Sequence, residues 1–161
     1  MTTADLTRPP YRATEPVVRT THMLCGTLLA QDLRKARQFY EEILDLECVD
    51  LGPDRMLARP RTQRKPGQRN FVLDVRRGDR IANPQRVFHH WGLDLDSKAA
   101  VDKMHRLLTA RKAELEMQQV LEARFQHGAY SFYFSDRDNN WWEFQYLPAS
   151  KLEHVFTGDA V

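Results

Sequence analysis

The sequence CGTLLAQDLRKARQFYEEIL, residues 25–44, contains the order of elements on which the fold prediction depends. Its apolar start belongs to a predicted strand from Val17 to Ala30, which is rich in aliphatic and β-branched residues. Asp32 then offers an N-cap for a helix. The apolar residues of this helix share one stripe and are Leu33, Ala36, Phe39, Tyr40, Ile43 and Leu44. A single stripe indicates that the helix packs against a sheet.

Three short strands are predicted after this helix. They fit Glu47–Leu51, Arg55–Ala58 and Asn70–Val75, and a Gly-Pro-Asp turn and a basic loop separate them. The first half of the chain therefore has the order βαβββ.

The same order starts again at residues 90–108, HWGLDLDSKAAVDKMHRLL. Val87–Leu95 is a predicted strand, Asp96 and Ser97 are candidate caps, and the next helix has one stripe. The stripe residues are Ala100, Val101, Met104, Leu107 and Leu108. The last three predicted strands are Glu114–Val120, Ala129–Ser135 and Trp141–Tyr146.

Repetition at a spacing of about 65 residues, from Cys25 to His90, indicates two copies of one unit, neither able to bury its sheet alone. The predicted fold is therefore α+β, with two βαβββ modules at about residues 17–84 and 85–147. Together they form a curled mixed sheet around a concave pocket. Residues 1–16 are predicted to be an arm without packed structure, and residues 148–161 a C-terminal tail.

Composition limits the classes of function. A length of 161 residues suits one domain, and a formal charge of +2 is too small to indicate a nucleic-acid partner. The five basic residues between Arg59 and Arg69 are interpreted as a solvated loop. No apolar run approaches the roughly 18 residues of a membrane helix. Cys25 and Cys48 fit neither a disulfide framework nor a metal knuckle, which predicts a cytoplasmic protein.

Four residues are candidate metal ligands because they interrupt strands that are otherwise apolar. Glu143 and Asp74 are carboxylates within buried-type strands, while His90 and Cys25 occupy equivalent places in the two first strands. A buried charge needs a partner, and imidazole with carboxylate suits first-row divalent ions. Two alternatives stay open: a carboxylate paired with arginine, and a cysteine that is simply a small apolar residue.

Three motifs resemble those of the vicinal oxygen chelate superfamily. They are the strand-Asp-Leu-helix segment from Cys25, the segment His90-Trp-Gly-Leu-Asp-Leu-Asp, and the closing segment from Phe134 to Phe144. The superfamily includes glyoxalase I, extradiol dioxygenases, fosfomycin-resistance enzymes and metal-free bleomycin-resistance binders. The resemblance places the ligands of the superfamily at Cys25, Asp74, His90 and Glu143. Cys25 stands where metal-using members usually have histidine.

A further correspondence favours the extradiol branch. Tyr133 lies ten positions before Glu143, like a tyrosine beside the metal in extradiol dioxygenases, and His127-Gly128 resembles their histidine-bearing loop. In this interpretation Tyr133 hydrogen-bonds a substrate oxygen and His127 transfers protons. The alternatives are a core aromatic residue and a surface histidine.

The leading hypothesis is an enzyme for a small oxygenated, aromatic substrate, with extradiol-type chemistry and iron(II) favoured over manganese, zinc or nickel. A glyoxalase-like lyase or isomerase would instead use all four ligands, with Asp74 as base. The competing class is a metal-free binding protein whose pocket is lined by Trp91, Tyr133 and Trp141. The resemblance also implies a homodimer.

Overall fold

The computed structural model describes residues 23–61, 71–81 and 85–148. The first module consists of β1 (Cys25–Ala30), α1 (Leu33–Glu42), β2 (Leu46–Asp50), β3 (Arg55–Pro60) and β4 (Val72–Arg77). The second consists of β5 (His90–Asp94), α2 (Lys98–Arg111), β6 (Gln119–Val120), β7 (Arg124–Gln126), β8 (Ala129–Ser135) and β9 (Trp141–Tyr146). The predicted arm, most of the basic loop and residues 149–161 of the predicted tail lie outside the described residues.

Both modules have the same topology, which confirms the predicted repeat. The strand orders are β1-β4-β3-β2 and β5-β9-β8-β6, with β7 also paired to β8. In each module the first strand runs parallel to the last, and the helix connects the first strand to the second. In the described part of the chain the modules form two separate sheets, of four and five strands, where the sequence predicted one curled sheet.

The helix starts follow from their capping residues. The Asp32 side chain accepts hydrogen bonds from the backbone N–H groups of Arg34 and Lys35 and so caps α1, as predicted. Ser97, the second of the two candidate caps, begins α2 by accepting from the Ala100 N–H group. These caps fix the residue at which each helix begins after the first strand of its module.

The region after α2 differs from the prediction. The chain turns at residues 112–116, where Glu116 has a φ of 53°, so only Gln119–Val120 of the predicted strand is extended. The short strand β7 was not predicted. It forms a hairpin with β8 through His127 and Gly128, whose φ values of 52° and 81° suit a two-residue turn.

Each sheet packs one face against its helix. In β1 and β4 the side chains of Leu28, Ala30, Leu73 and Val75 are buried on the face that α1 covers. In β8 and β9 the core side chains are Phe132, Phe134, Trp142 and Phe144, which α2 covers. Because strand side chains alternate, the residues between these core positions lie on the opposite faces, where Tyr133, Trp141 and Glu143 of the second sheet are also buried.

The turn between β8 and β9 joins the modules. Asp138 Oδ1 accepts from the Gln31 N–H group at 3.1 Å, and Asn140 Nδ2 donates to the Leu29 carbonyl at 3.0 Å. Asp136 holds the turn by accepting from two backbone N–H groups at 2.9 Å each. Burial raises the pKa of Asp136 to about 6. Among the described residues, no helix is long and apolar enough to cross a membrane.

Candidate functional site

The face of the second sheet opposite α2 carries an uncommon set of side chains. Glu143, in the middle of β9, lies opposite Gly92 of β5 on one side and Tyr133 of β8 on the other. His90 precedes Gly92 by two residues and therefore shares its face. The fold thus brings an imidazole, a carboxylate and a phenol together from three adjacent strands.

His90 and Glu143 are in direct contact. His90 Nε2 lies 3.2 Å from Glu143 Oε2, and only 8% of the Glu143 side chain is exposed. His90 Nδ1 lies 2.6 Å from the Val87 carbonyl oxygen, which can only accept, so Nδ1 carries a proton. A neutral His90 therefore directs the lone pair of Nε2 toward the carboxylate. Two acceptors at this distance require a shared proton or a cation.

Tyr133 lies against both groups. Its ring centroid is 4.7 Å from that of His90. Burial, and next the negative charge of Glu143, raise the pKa of Tyr133 to about 12. The phenol consequently stays neutral near pH 7 and can donate its proton in a hydrogen bond.

The geometry of His90 and Glu143 fits two ligands of one metal ion. Ligand atoms about 2.1 Å from a metal are about 3.0 to 3.4 Å apart when they are neighbours, and the observed separation is 3.2 Å. A metal-binding histidine commonly donates its second N–H to a backbone carbonyl, as His90 does to Val87. Gly92 leaves space beside the carboxylate, since a Cβ there would lie 3.9 Å from Glu143 Oε2.

The structure does not group Asp74 or Cys25 with this pair. Within the described ranges, no three side chains of His, Cys, Asp or Glu are close enough to hold one metal ion. Asp74 instead forms ion pairs with Arg55 and Arg76, each at 2.9 Å. The hydrogen bond from Arg55 is the main cause that lowers the pKa of Asp74. Cys25 is exposed at the start of β1.

The two predicted substrate-binding tryptophans lie on opposite faces of the second sheet. Trp141 is opposite His90 in register, is buried, and donates from Nε1 to the Gln85 carbonyl at 3.0 Å. Trp91 follows His90 and points to the other face, where its ring lies 5.4 Å from that of Phe71. Only Trp141 therefore borders the His90–Glu143 pair.

His127 lies far from the pair. It is exposed at the tip of the β7–β8 hairpin, six residues before Tyr133. At about 3.3 Å per strand residue this separation is roughly 20 Å. A proton-transfer role for His127 stays a prediction without support from its position in the chain.

Two features of the site were not inferred from the sequence. The Val87 carbonyl that orients His90 and the space at Gly92 have no signal beyond a glycine in a strand. The ion pairs of Asp74 match the alternative of a carboxylate paired with arginine, and Arg76 had a readable signal because it follows Asp74 by two residues and must share its face.

Comparisons with solved structures establish the fold. A possible glyoxalase from Bacillus cereus is 22% identical, covers 78% of this chain and 99% of its own, and superposes with a TM-score of 0.60. The fosfomycin resistance protein FosX from Listeria monocytogenes, in complex with Mn(II) and sulfate, is 18% identical and covers 86% of this chain and 99% of its own, with a TM-score of 0.61. No curated protein matches the chain.

A family profile agrees with this fold. The profile of the Glyoxalase/Bleomycin resistance protein/Dioxygenase superfamily matches residues 19–144, which include both modules and the His90–Glu143 pair. The chain therefore belongs to this superfamily, which is also called the vicinal oxygen chelate superfamily.

Proposed function

We propose that the protein is a metal-dependent enzyme that acts on a small oxygenated, aromatic substrate at His90, Glu143 and Tyr133, with extradiol-type ring cleavage favoured. One observation carries the proposal: a buried carboxylate faces an imidazole and, in the described part of the chain, forms no ion pair with arginine or lysine. A carboxylate kept free of such partners is available to a metal ion.

Each side chain has a distinct part in this proposal. Glu143 and His90 would hold the ion, and iron(II), when bound, would supply Lewis-acid and oxygen chemistry. Tyr133, neutral because its pKa is about 12, would donate a hydrogen bond to a substrate oxygen. Trp141, which is buried and opposite His90 in register, would form a wall of the site.

The surroundings of Asp74 favour this reaction over a glyoxalase-like one. The glyoxalase-like alternative needs Asp74 as a base near the metal, but Arg55 and Arg76 lower its pKa. A carboxylate held by two guanidinium groups is a weak base. Extradiol chemistry needs no base at Asp74 and leaves this residue out of the reaction.

The test is ring cleavage under defined metal loading. The protein is loaded anaerobically with iron(II), desalted and mixed with catechols, while an oxygen electrode and the absorbance of ring-cleaved products are recorded. We expect oxygen uptake that equals product formed and that His90→Ala abolishes. Failure of every catechol, with iron retained by the wild type, would refute the dioxygenase assignment but leave the metal site standing.

A metal-free binding protein is the second candidate, because the chain groups only two ligands in its described part. In that case the 3.2 Å contact between His90 and Glu143 is a permanent ion pair, and a pocket beside it binds an aromatic ligand. Protein that holds no metal and still binds catechols with unchanged affinity in His90→Ala would favour this candidate.

A homodimer is part of the proposal. His90 and Glu143 share one face of the second sheet, and a second copy of the chain would complete the pocket beside them. Gel filtration at micromolar concentration is expected to show twice the mass of the 18.9 kDa chain. Elution at the mass of a single chain would refute the proposed homodimer.

We also propose that the protein works in the reducing cytoplasm. Both cysteines of the chain are free thiols, and Cys25 is exposed. An exposed free thiol is stable where glutathione keeps it reduced.

A further inference from the structure

A row of polar side chains crosses the second sheet beside the His90–Glu143 pair. Its members come from β5, β9, β8 and β7, are opposite one another in register, and are Asp94, Gln145, Ser131 and Arg124. Gln145 follows Glu143 by two residues along β9, so the two side chains share one face. Ser131 precedes Tyr133 by two residues along β8 and shares that face as well. The row therefore borders the candidate site.

The two ends of the row carry opposite charges. At one end, Asp94 accepts a hydrogen bond from Gln145 Nε2 at 2.8 Å. At the other end, Arg124 is exposed and, within the described ranges, forms no ion pair with a carboxylate. A guanidinium group without a carboxylate partner is available to an anionic ligand.

Two hydrogen bonds in series orient the Arg124 side chain. Arg124 Nε donates to Gln126 Oε1 at 3.1 Å. Gln126 Nε2 in turn donates to Ser131 Oγ at 2.8 Å, and Ser131 is fully buried. Because the Gln126 amide occupies only the Nε side of the guanidinium, the two terminal nitrogens keep their N–H groups for a ligand. Two parallel N–H groups match the two oxygens of a carboxylate.

The guanidinium is within reach of a substrate at the candidate site. Arg124 is two strands and two residues away from Glu143, which places their Cα atoms roughly 12 Å apart. Tyr133 of β8 lies between them. Burial and the charge of Glu143 raise the pKa of Tyr133 to about 12, and the positive charge of Arg124 acts in the opposite direction. The charge of Arg124 therefore acts at the phenol that borders the His90–Glu143 pair.

We propose that Arg124 binds an acidic substituent of the substrate, so that the preferred substrate is a catechol with a carboxylate on its ring. This inference rests on the proposed function, since it places the two hydroxyl groups of the substrate at the His90–Glu143 pair and Tyr133. The ring spans the distance toward Arg124, and the carboxylate accepts two N–H groups from the guanidinium. Gln126 is a positioning residue that orients this guanidinium.

The test compares three catechols that differ in one substituent at carbon four of the ring: a carboxylate, a methyl group or an aminomethyl group. The protein loaded with iron(II) is assayed by oxygen uptake near neutral pH. We expect kcat/KM of the wild type to be at least tenfold higher for the carboxylate probe than for the aminomethyl probe, with the methyl probe between them.

Variants of the row identify the source of this preference. Arg124→Gln should lower the preference for the carboxylate probe over the methyl probe by about tenfold, mainly through KM, and Arg124→Lys should restore part of it. Gln126→Met, which removes the acceptor for Arg124 Nε, should lower the same preference by a smaller factor. Arg106→Gln, which removes an exposed positive charge from α2 on the opposite side of the sheet, is the matched control and should retain it.

Binding without turnover separates this inference from the proposed function. Calorimetry under argon measures the affinity of the same three probes when no oxygen is present. If no probe is turned over but the carboxylate probe binds most tightly, and only with Arg124 in place, the reaction is refuted and the acidic ligand stands. If the probes are turned over but the carboxylate is not preferred, or its preference survives Arg124→Gln, the inference is overturned and the reaction stands. Absence of binding by all three probes overturns both.

Discussion

The two modules carry a carboxylate at the same register of the same strand, but the side chains around the two carboxylates differ. In the first module Asp74 lies between Thr27 and Leu57, and in the second Glu143 lies between Gly92 and Tyr133. Cys25 and His90 also match, since each precedes the residue opposite the carboxylate by two positions.

The neighbours give these equivalent carboxylates different surroundings. Arg55 and Arg76 neutralise Asp74 from the ends of β3 and β4. Glu143 has an imidazole, a phenol and the space at a glycine instead. In the proposed function, the repeated fold keeps one copy of this polar position for structure and uses the other for chemistry.

The largest effect is expected from filling the space beside Glu143. Gly92→Val places a branched side chain next to the carboxylate, where even a Cβ already touches Gln145 at 3.7 Å. We expect catalytic efficiency, kcat/KM, to fall by about 100-fold, because substrate and ligands can no longer take their positions. Thr27→Val at the equivalent place in the first module should stay within about twofold. Equal losses in both variants would contradict the difference between the modules.

Removal of the Tyr133 hydroxyl should have the next largest effect. Tyr133→Phe keeps the ring that packs on His90 and removes the hydrogen-bond donor, so we expect kcat to fall by about 10- to 100-fold. Metal content should not change. Leu57→Ala, at the equivalent register of the first sheet, provides the control. Steady-state kinetics together with metal analysis separates an effect on turnover from an effect on metal binding.

The pH dependence of stability should have opposite signs at the two structural aspartates. The pKa of Asp136 is raised from 3.8 to about 6, so its native state binds a proton that the unfolded chain has lost. Its contribution to the free energy of unfolding falls as pH rises from about 4 to about 6, by on the order of 2 to 3 kcal/mol. The measurement is urea unfolding of wild type and Asp136→Asn across this range. If the free energy of unfolding of Asp136→Asn changed with pH as steeply as that of the wild type, the assignment of this pH dependence to Asp136 would be refuted.

Asp74 should give the smallest effect. Because its pKa is lowered, ionised Asp74 contributes to the free energy of unfolding above pH 3.8. This contribution is lost as the pH falls through the lowered pKa of the folded state. The partners Arg55 and Arg76 are about half exposed, so we expect Asp74→Asn to cost only about 1 kcal/mol at pH 7. Thermal unfolding of the wild type and Asp74→Asn at pH 7 and pH 3 tests this. A larger loss of stability in the variant at pH 3 than at pH 7 would contradict it.

Much of the fold could be predicted from the sequence, because the repeat appears in local patterns. The helical stripes after Asp32 and Ser97 and the alternation in β8 and β9 predict both modules and the equivalence of Cys25 with His90. The strand after α2 was predicted too long, since Glu116 adopts a left-handed conformation that no local pattern indicates. The separation into two sheets depends on contacts between the modules.

The site was predicted only in part. His90, Glu143 and Tyr133 share a face by alternation and register, which a sequence can indicate. The pairing of Asp74 with Arg55 depends on the register of β3 with β4, and the direction of Trp91 depends on which face α2 covers. Both are decided by packing between distant segments. Of the four predicted ligands, the structure brings His90 and Glu143 into contact, and the metal site itself stays a prediction.

The most direct test is a metal analysis of protein purified without chelator and then titrated with iron(II) or manganese(II). We predict one tightly bound ion per chain in the wild type, loss of that ion in His90→Ala and Glu143→Gln, and retention in Asp74→Asn. A wild type that holds no ion, or an Asp74→Asn variant that loses it as completely as Glu143→Gln does, would contradict the assignment of chemistry to the second module.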